Sequence, residues 1–332
     1  MPQRIEQLKH WLATLPQLPN FTFQPASNDA SFRRYFRIFA DGVTYIAMDA
    51  PPDREDSAPF VKVALALESI GLNVPHIHAQ DLSQGFMLLE DLGSDLYLDK
   101  LTDETVDSLY GDALDALATL QAYGPRQDLP TYDRALLMRE MALFRDWLLA
   151  RELKLTLTEA EHRMLDSVFA LLADSALQQP RVCVHRDYHS RNLMQTRQHN
   201  PGILDFQDAV IGPVTYDLVS LLRDCYINWP AERVHNWAMD YYELAVRSGI
   251  LYAEHKAQFM TWFDLMGVQR HLKASGIFAR LNRRDGKPGY LHDIPRTLGY
   301  ITSLDSGFSQ LQALSEFIHS RVMPGLNPAS EI

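Results

Sequence analysis

Cysteine is almost absent from this chain. Cys183 and Cys225 are the only two, which excludes a disulfide scaffold and a cysteine-rich zinc site and leads us to expect a reduced, cytoplasmic protein. Long apolar runs are missing too. No stretch approaches the roughly 20 apolar residues that a membrane helix needs. The N-terminal MPQRIEQLKHWLATLPQLPN spaces Ile5, Leu8, Trp11, Leu12 and Leu15 on one helical stripe among charges, unlike the unbroken core of an export signal. Positive charge is in deficit: 31 Lys and Arg face 42 Asp and Glu, a net charge of −11. That balance argues against nucleic acid or an anionic membrane as partner, because phosphate surfaces reward clustered cations. A soluble, unexported monomer acting on a small molecule is the expectation.

What is present has two textures. After the first helix come short β-rich runs, FTFQP, FRRYFRIF, GVTYIAMDA, HIHAQD and GFMLLED, with one helical stretch, APFVKVALALESIG, between the third and fourth. From about residue 95 the apolar spacing turns helical, as in VDSLYGDALDALATLQAY and EHRMLDSVFALLADSAL, broken only by three β-like runs over 181–206. This order predicts an α+β protein of two lobes: a small N-terminal lobe, 1–92, built on a five-stranded antiparallel sheet with one helix, and a larger, mainly helical lobe, 93–332.

The chemistry concentrates in VCVHRDYHSRNLM, residues 182–194. His185-Arg186-Asp187, four residues and then Asn192 match the H-R-D-x-x-x-x-N catalytic loop of protein kinases. Thirteen residues on, Asp205-Phe206 ends the run GILDF, where kinases carry Asp-Phe-Gly. The spacing suits phosphoryl transfer. One carboxylate, Asp187, would accept the proton of an attacking hydroxyl, while Asn192 and Asp205 would offer the oxygen ligands that Mg²⁺ prefers beside the phosphates of ATP. A zinc site on His185 and His189 would need a helical flank and a further ligand at known spacing, and the flanks here are strand-like.

The stretches VCVHRDYHSRNLM, GILDFQDAVIGPVTYDLVSLL and LLEDLG resemble the aminoglycoside phosphotransferase and choline kinase branch of the protein-kinase-like fold, over about residues 20 to 300. The resemblance implies that Leu89 to Gly93, with Glu90 and Leu92, is a hinge whose backbone meets adenine, and that Asp217 braces the catalytic loop. Within the branch, HRDYHSRNLM, LDFQDAVIGPVTYDLVSLLRDCYINWP and QRHLKASGIFARLNRRDGKPGYLHDIPR are similar to the anomeric amino-sugar kinases of bacterial cell-wall recycling, which act on N-acetylmuramate and N-acetylglucosamine. A kinase of another small hydroxyl acceptor, of aminoglycoside or choline type, and a nucleotide-binding pseudokinase are the alternatives.

Two parts of the kinase pattern are missing. No glycine precedes Gly42, so the phosphate loop would be the polar turn ASNDASFRRYFRI, with Ser31, Arg33 and Arg34 as nucleotide contacts. Met48 stands at the place of the strand-three lysine and Phe60 at that of its helix glutamate, and Arg33 or Arg34 is expected to replace the lost charge. For the acceptor, Tyr188, His189, Arg191 and Asp208 are the candidate lining, with Trp229 beside them. Arg270 and His271 are the preferred partners for the lactyl carboxylate of N-acetylmuramate. The other cations of the helical half, Lys273 and Arg223 among them, read as solvated surface charges.

Overall fold

The computed structural model describes residues 2–27, 33–304 and 307–326. The chain divides into two compact units. The first comprises residues 1–109 and 192–208. Its five strands are β1 (Thr22–Ser27), β2 (Arg34–Ala40), β3 (Val43–Asp49), β4 (Ile77–Asp81) and β5 (Phe86–Glu90). They form one sheet in the order β1-β2-β3-β5-β4, antiparallel throughout. The tight β2–β3 hairpin turns on Asp41-Gly42, whose positive φ values of 49° and 80° match the Asp-Gly preference of two-residue hairpins. Alternation along β2 sends Phe36, Ile38 and Ala40 to one face, where they meet Leu8 and Leu12 of the N-terminal helix Pro2–Ala13.

The boundary expected at residue 92 moves in the structure. The first unit continues to Leu109 and recovers 192–208, because the hairpin Leu193–Met194 with Gly202–Ile203 bonds to residues that precede it. Gln195 N–H donates to the Asp95 carbonyl at 2.7 Å and Ile203 N–H to that of Asn73 at 2.7 Å. Hydrogen bonding between distant segments, invisible to a reading by composition, assigns this piece.

The second unit comprises residues 110–191 and 209–332. Its axis is the helix Lys256–Asp285, buried over most of its 30 residues and closed by Gly286 in the left-handed conformation. Around it pack the helices Arg134–Leu143, Glu159–Gln178, Tyr216–Leu222 and Ile294–Thr302, the first running on in π-helical turns over Phe144–Glu152. A ribbon of Arg181–Val184 against Val210–Pro213 leads into the loop that starts at His185. Among the described residues no helix is long and apolar enough to cross a membrane.

The central helix needs a glycine where it crosses its neighbour. A Cβ on Gly276 would sit 2.3 Å from the Leu143 carbonyl carbon and 2.5 Å from the Phe144 nitrogen, and backbone cannot yield as a side chain can. Gly276→Ala is expected to destabilise the protein by about 1–3 kcal/mol, read as a lower urea midpoint with unchanged slope.

Candidate functional site

The loop from His185 to Arg191 is held at alternate points. Asp217, fully buried at the start of the helix Tyr216–Leu222, accepts the backbone N–H of His185 at 2.6 Å and of Arg186 at 2.9 Å. It is the brace that the resemblance implied. Burial pushes its carboxyl up, against the two amides that favour the charge. Arg186 adopts a left-handed φ of 79°, a strained state for a non-glycine residue. Its guanidinium donates to Glu140 at 2.5 Å. The Tyr188 hydroxyl donates to the Ala113 carbonyl at 2.8 Å, and Ser190 gives both its N–H and hydroxyl to buried Asp224. Between these fastened residues Asp187 is half-buried, and Arg191 after them is exposed.

Asp187 sits in a positive field. Burial would raise its carboxyl, but Lys273 above all, with Arg270 and Arg186, holds it below the usual carboxylate range. It is therefore a carboxylate at neutral pH. Its N–H donates to His185 Nδ1 at 3.2 Å, and its carbonyl accepts His189 N–H at 3.1 Å. Behind it Glu140, 6% exposed, pairs with Lys273 at 3.3 Å and also accepts the Tyr132 hydroxyl. Lys273 donates in turn to the Tyr216 hydroxyl at 2.8 Å.

Asn192 and Asp205 belong to the first unit, and the 193–194/202–203 hairpin brings them together. Leu204 N–H donates to the Asn192 carbonyl at 2.9 Å, and the Asn192 amide lies 3.5 Å from Asp205 Oδ2. Asp205 takes a left-handed φ of 63°, a conformation Asp tolerates better than most residues. Gln207 donates to its Oδ1 at 2.7 Å. It is the amide nitrogen of Asn192 that faces Asp205; the side-chain oxygens of the two residues are of the kind that a hard divalent cation such as Mg²⁺ prefers. Among the described residues no three His, Cys, Asp or Glu side chains are grouped to hold a metal.

The expected nucleotide contacts are differently occupied. Ser31 lies outside the described residues, as do Asn28 and Asp29. Arg33 is nearly buried and pairs with Glu55 at 3.3 Å. Arg34 and Arg4 clamp the fully buried Asp49 between them, so the Arg34 charge is already matched. Met48 is wholly buried on β3, and Phe60 is buried with its ring 4.9 Å from that of Phe206. Glu90 is exposed at the end of β5, and Leu92 packs its side chain close to Gly202. Asp208 is exposed.

Of the residues expected at the acceptor, Tyr188 is wholly buried with its hydroxyl spent on backbone. His189 is buried, meets Tyr226 edge-on at 5.4 Å, and has an Nδ1 with no partner among the described residues. Arg270 donates to the Ser220 hydroxyl and to Cys225 Sγ, the latter at 3.4 Å. His271 donates from Nε2 to the Arg223 carbonyl at 2.9 Å and stacks on Tyr300 at 4.7 Å. Burial pushes His271 down to about 3, so it is a neutral packing residue and no cation for a carboxylate. Trp229 instead lines a cavity of about 630 Å³ with Asn228, His235 and Tyr300. Lys273 and Arg223, expected in solvent, are respectively buried and paired with Asp264 at 2.6 Å. Glu140, Asp224, Tyr226 and Tyr290 escaped the sequence reading, since each lies far along the chain from the motif it serves.

This loop and its brace, with the asparagine–aspartate pair, are parts of a phosphoryl-transfer enzyme. The model of the phosphotransferase enzyme family matches residues 22–255, and the chain belongs to that family. It is 48% identical over 326 residues, 95% of this chain and 96% of the other, to a protein of Pseudomonas putida named N-acetylmuramate/N-acetylglucosamine kinase. A protein of the same name from Neisseria meningitidis serogroup B is 42% identical, with 94% of each chain covered. Among solved structures, a choline kinase of Streptococcus pneumoniae superposes with a TM-score of 0.64 at 12% identity, over 91% of this chain and 100% of that one, which shows the kinase-like fold.

Two of the buried histidines, His189 and His271, set a pH dependence. Burial pushes His189 to about 4 and His271 to about 3, whereas an unfolded histidine titrates near 6.5. Folded, both stay neutral; unfolded, both bind a proton once the pH drops below about 6.5. Stability is therefore full above that pH and is lost as pH falls toward 4, with a slope approaching two protons. Urea unfolding between pH 7 and 5 measures this slope, and His271→Gln should remove about one proton from it.

Proposed function

We propose that this protein is an ATP-dependent kinase of the anomeric hydroxyl of N-acetylmuramate and N-acetylglucosamine, acting in the cytoplasm as a monomer in cell-wall recycling. The observation that carries the reading is the 48% identity with a kinase of that name across nearly the whole of both chains. The loop geometry supports it. Asp187, kept ionised by Lys273 and its neighbours, orients the acceptor hydroxyl and takes its proton as the sugar oxygen attacks the γ-phosphorus and ADP departs. An anomeric hydroxyl is more acidic than an ordinary alcohol, which suits a carboxylate of lowered basicity. Asn192 and Asp205 hold the Mg²⁺ of the nucleotide through their side-chain oxygens. When bound, that ion neutralises charge developing on the phosphates.

Other residues take lesser parts. His189 offers its unpartnered Nδ1 as a hydrogen-bond site for the sugar, and Asp208 stands as a further acceptor contact. Glu90 to Leu92 present backbone to adenine. Ser31 and Arg33 remain the candidate phosphate contacts, Arg33 by exchanging its Glu55 partner, because Arg34 is committed to Asp49. A pseudokinase would have no chemical use for Asp187, Asn192 and Asp205 together.

Phosphorus NMR with ATP, Mg²⁺ and a panel of free sugars, choline and an aminoglycoside tests the reading. A sugar 1-phosphate should appear from the two amino sugars; transfer to choline or the aminoglycoside alone, or to no acceptor, would sink it. Asp187→Asn should keep ATP binding and lower turnover about 10²- to 10⁴-fold. Asp205→Ala should weaken ATP binding itself at fixed Mg²⁺, as seen by calorimetry.

A further inference from the structure

One arginine of the loop has rings where others have carboxylates. Arg191 is exposed, and its guanidinium lies 4.8 Å from the centre of the Tyr226 ring and 5.4 Å from that of Tyr290. Among the described residues no Asp or Glu pairs with it, in a chain whose acids outnumber its bases. Its neighbours in the second unit behave otherwise: Arg186 has Glu140 and Arg223 has Asp264. The rings are fixed in turn. Tyr226 packs on Phe278 at 6.0 Å, Phe278 stacks on Tyr290 at 5.7 Å, and the edge of His189 meets Tyr226. His189 is joined to Asp187 through backbone. The aromatic group is thus continuous with the residue assigned to the acceptor's proton.

Stacking on aromatic faces uses the flat sides of a guanidinium and leaves its N–H edge free. It also restricts the side chain in advance, so less freedom is lost when a ligand binds. A planar fork of donors with no acid partner matches a carboxylate in two-point contact. The geometry points to Arg191, seated on Tyr226 and Tyr290, as the residue that reads the lactyl carboxylate of N-acetylmuramate and so separates the two amino sugars. This rests on the kinase reading above and replaces Arg270 and His271 in that role. Both of those are buried and already bonded within the fold.

The two sugars differ only in the lactyl ether on C3, so they form the control for each other. Steady-state kinetics of Arg191→Gln should show KM for N-acetylmuramate raised about ten- to a hundredfold, the worth of a charge-assisted pair of hydrogen bonds. KM for N-acetylglucosamine and for ATP should stay within about twofold. Arg191→Lys should recover part of the loss, since it keeps the charge without the fork, and Tyr290→Leu should give a smaller loss of the same selectivity. Equal loss on both sugars, or a raised KM for ATP, would overturn the assignment while leaving the kinase reading intact. A wild-type protein that phosphorylates neither sugar would bring down the kinase reading and this assignment with it.

Discussion

A carboxylate taken out of water costs several kcal/mol unless hydrogen bonds replace the lost hydration. Asp217 meets that condition with the N–H groups of His185 and Arg186, and much of the second unit's chemistry follows from it. Two consecutive amides meet one carboxylate there, and directly after the second the backbone turns through the positive φ of Arg186. The strain of that residue, of order 1–3 kcal/mol, is tolerated because Asp217 and Glu140 hold it from backbone and side chain. The turn then fixes where Asp187 emerges. A position set by four fastened neighbours is pre-organised, as the proposed role of proton acceptor requires.

The second constraint is electrostatic. The central helix carries Arg270 and Lys273 on buried turns, and a cation without compensation there would be costly. Glu140 answers Lys273 and Arg186 together. Burial would raise Glu140, yet those two cations keep it low. Asp187 lies in the residual positive field. The same charges that stabilise its ionised form lower its basicity.

Local pattern revealed local structure. The five strands and the helix Ala58–Ser69 appear where period-two and period-3.6 spacing put them, because alternation and stripes are properties of neighbouring residues. The motif around Asp187 was legible for the same reason. Partners distant in sequence were not. Nothing near Arg34 announces that Asp49 will be buried between it and Arg4, and nothing near Lys273 announces Glu140. Lys273 was read as a solvated cation and His271 as a partner for the substrate's carboxylate, although both lie in a helix apolar on several sides, FMTWFDLMGVQRHLKASGIFARL, a signal that its polar residues are interior. The reach of the first unit to residue 208 depended on backbone bonds between segments more than a hundred residues apart.

The absent lysine–glutamate pair shows how such an exchange can be tolerated. Removing one member of a buried ion pair strands the other's charge, whereas replacing both with apolar groups of similar size can be neutral or better. Met48 and Phe60, the residues read at those two places in the sequence, are both buried and uncharged, with Phe60 against Phe206 next to Asp205. The adjacent strand position then carries the charge instead. Asp49 with Arg4 and Arg34 ties the N-terminal helix to β2 and β3, an ion triad that locks the sheet rather than reaching for phosphate.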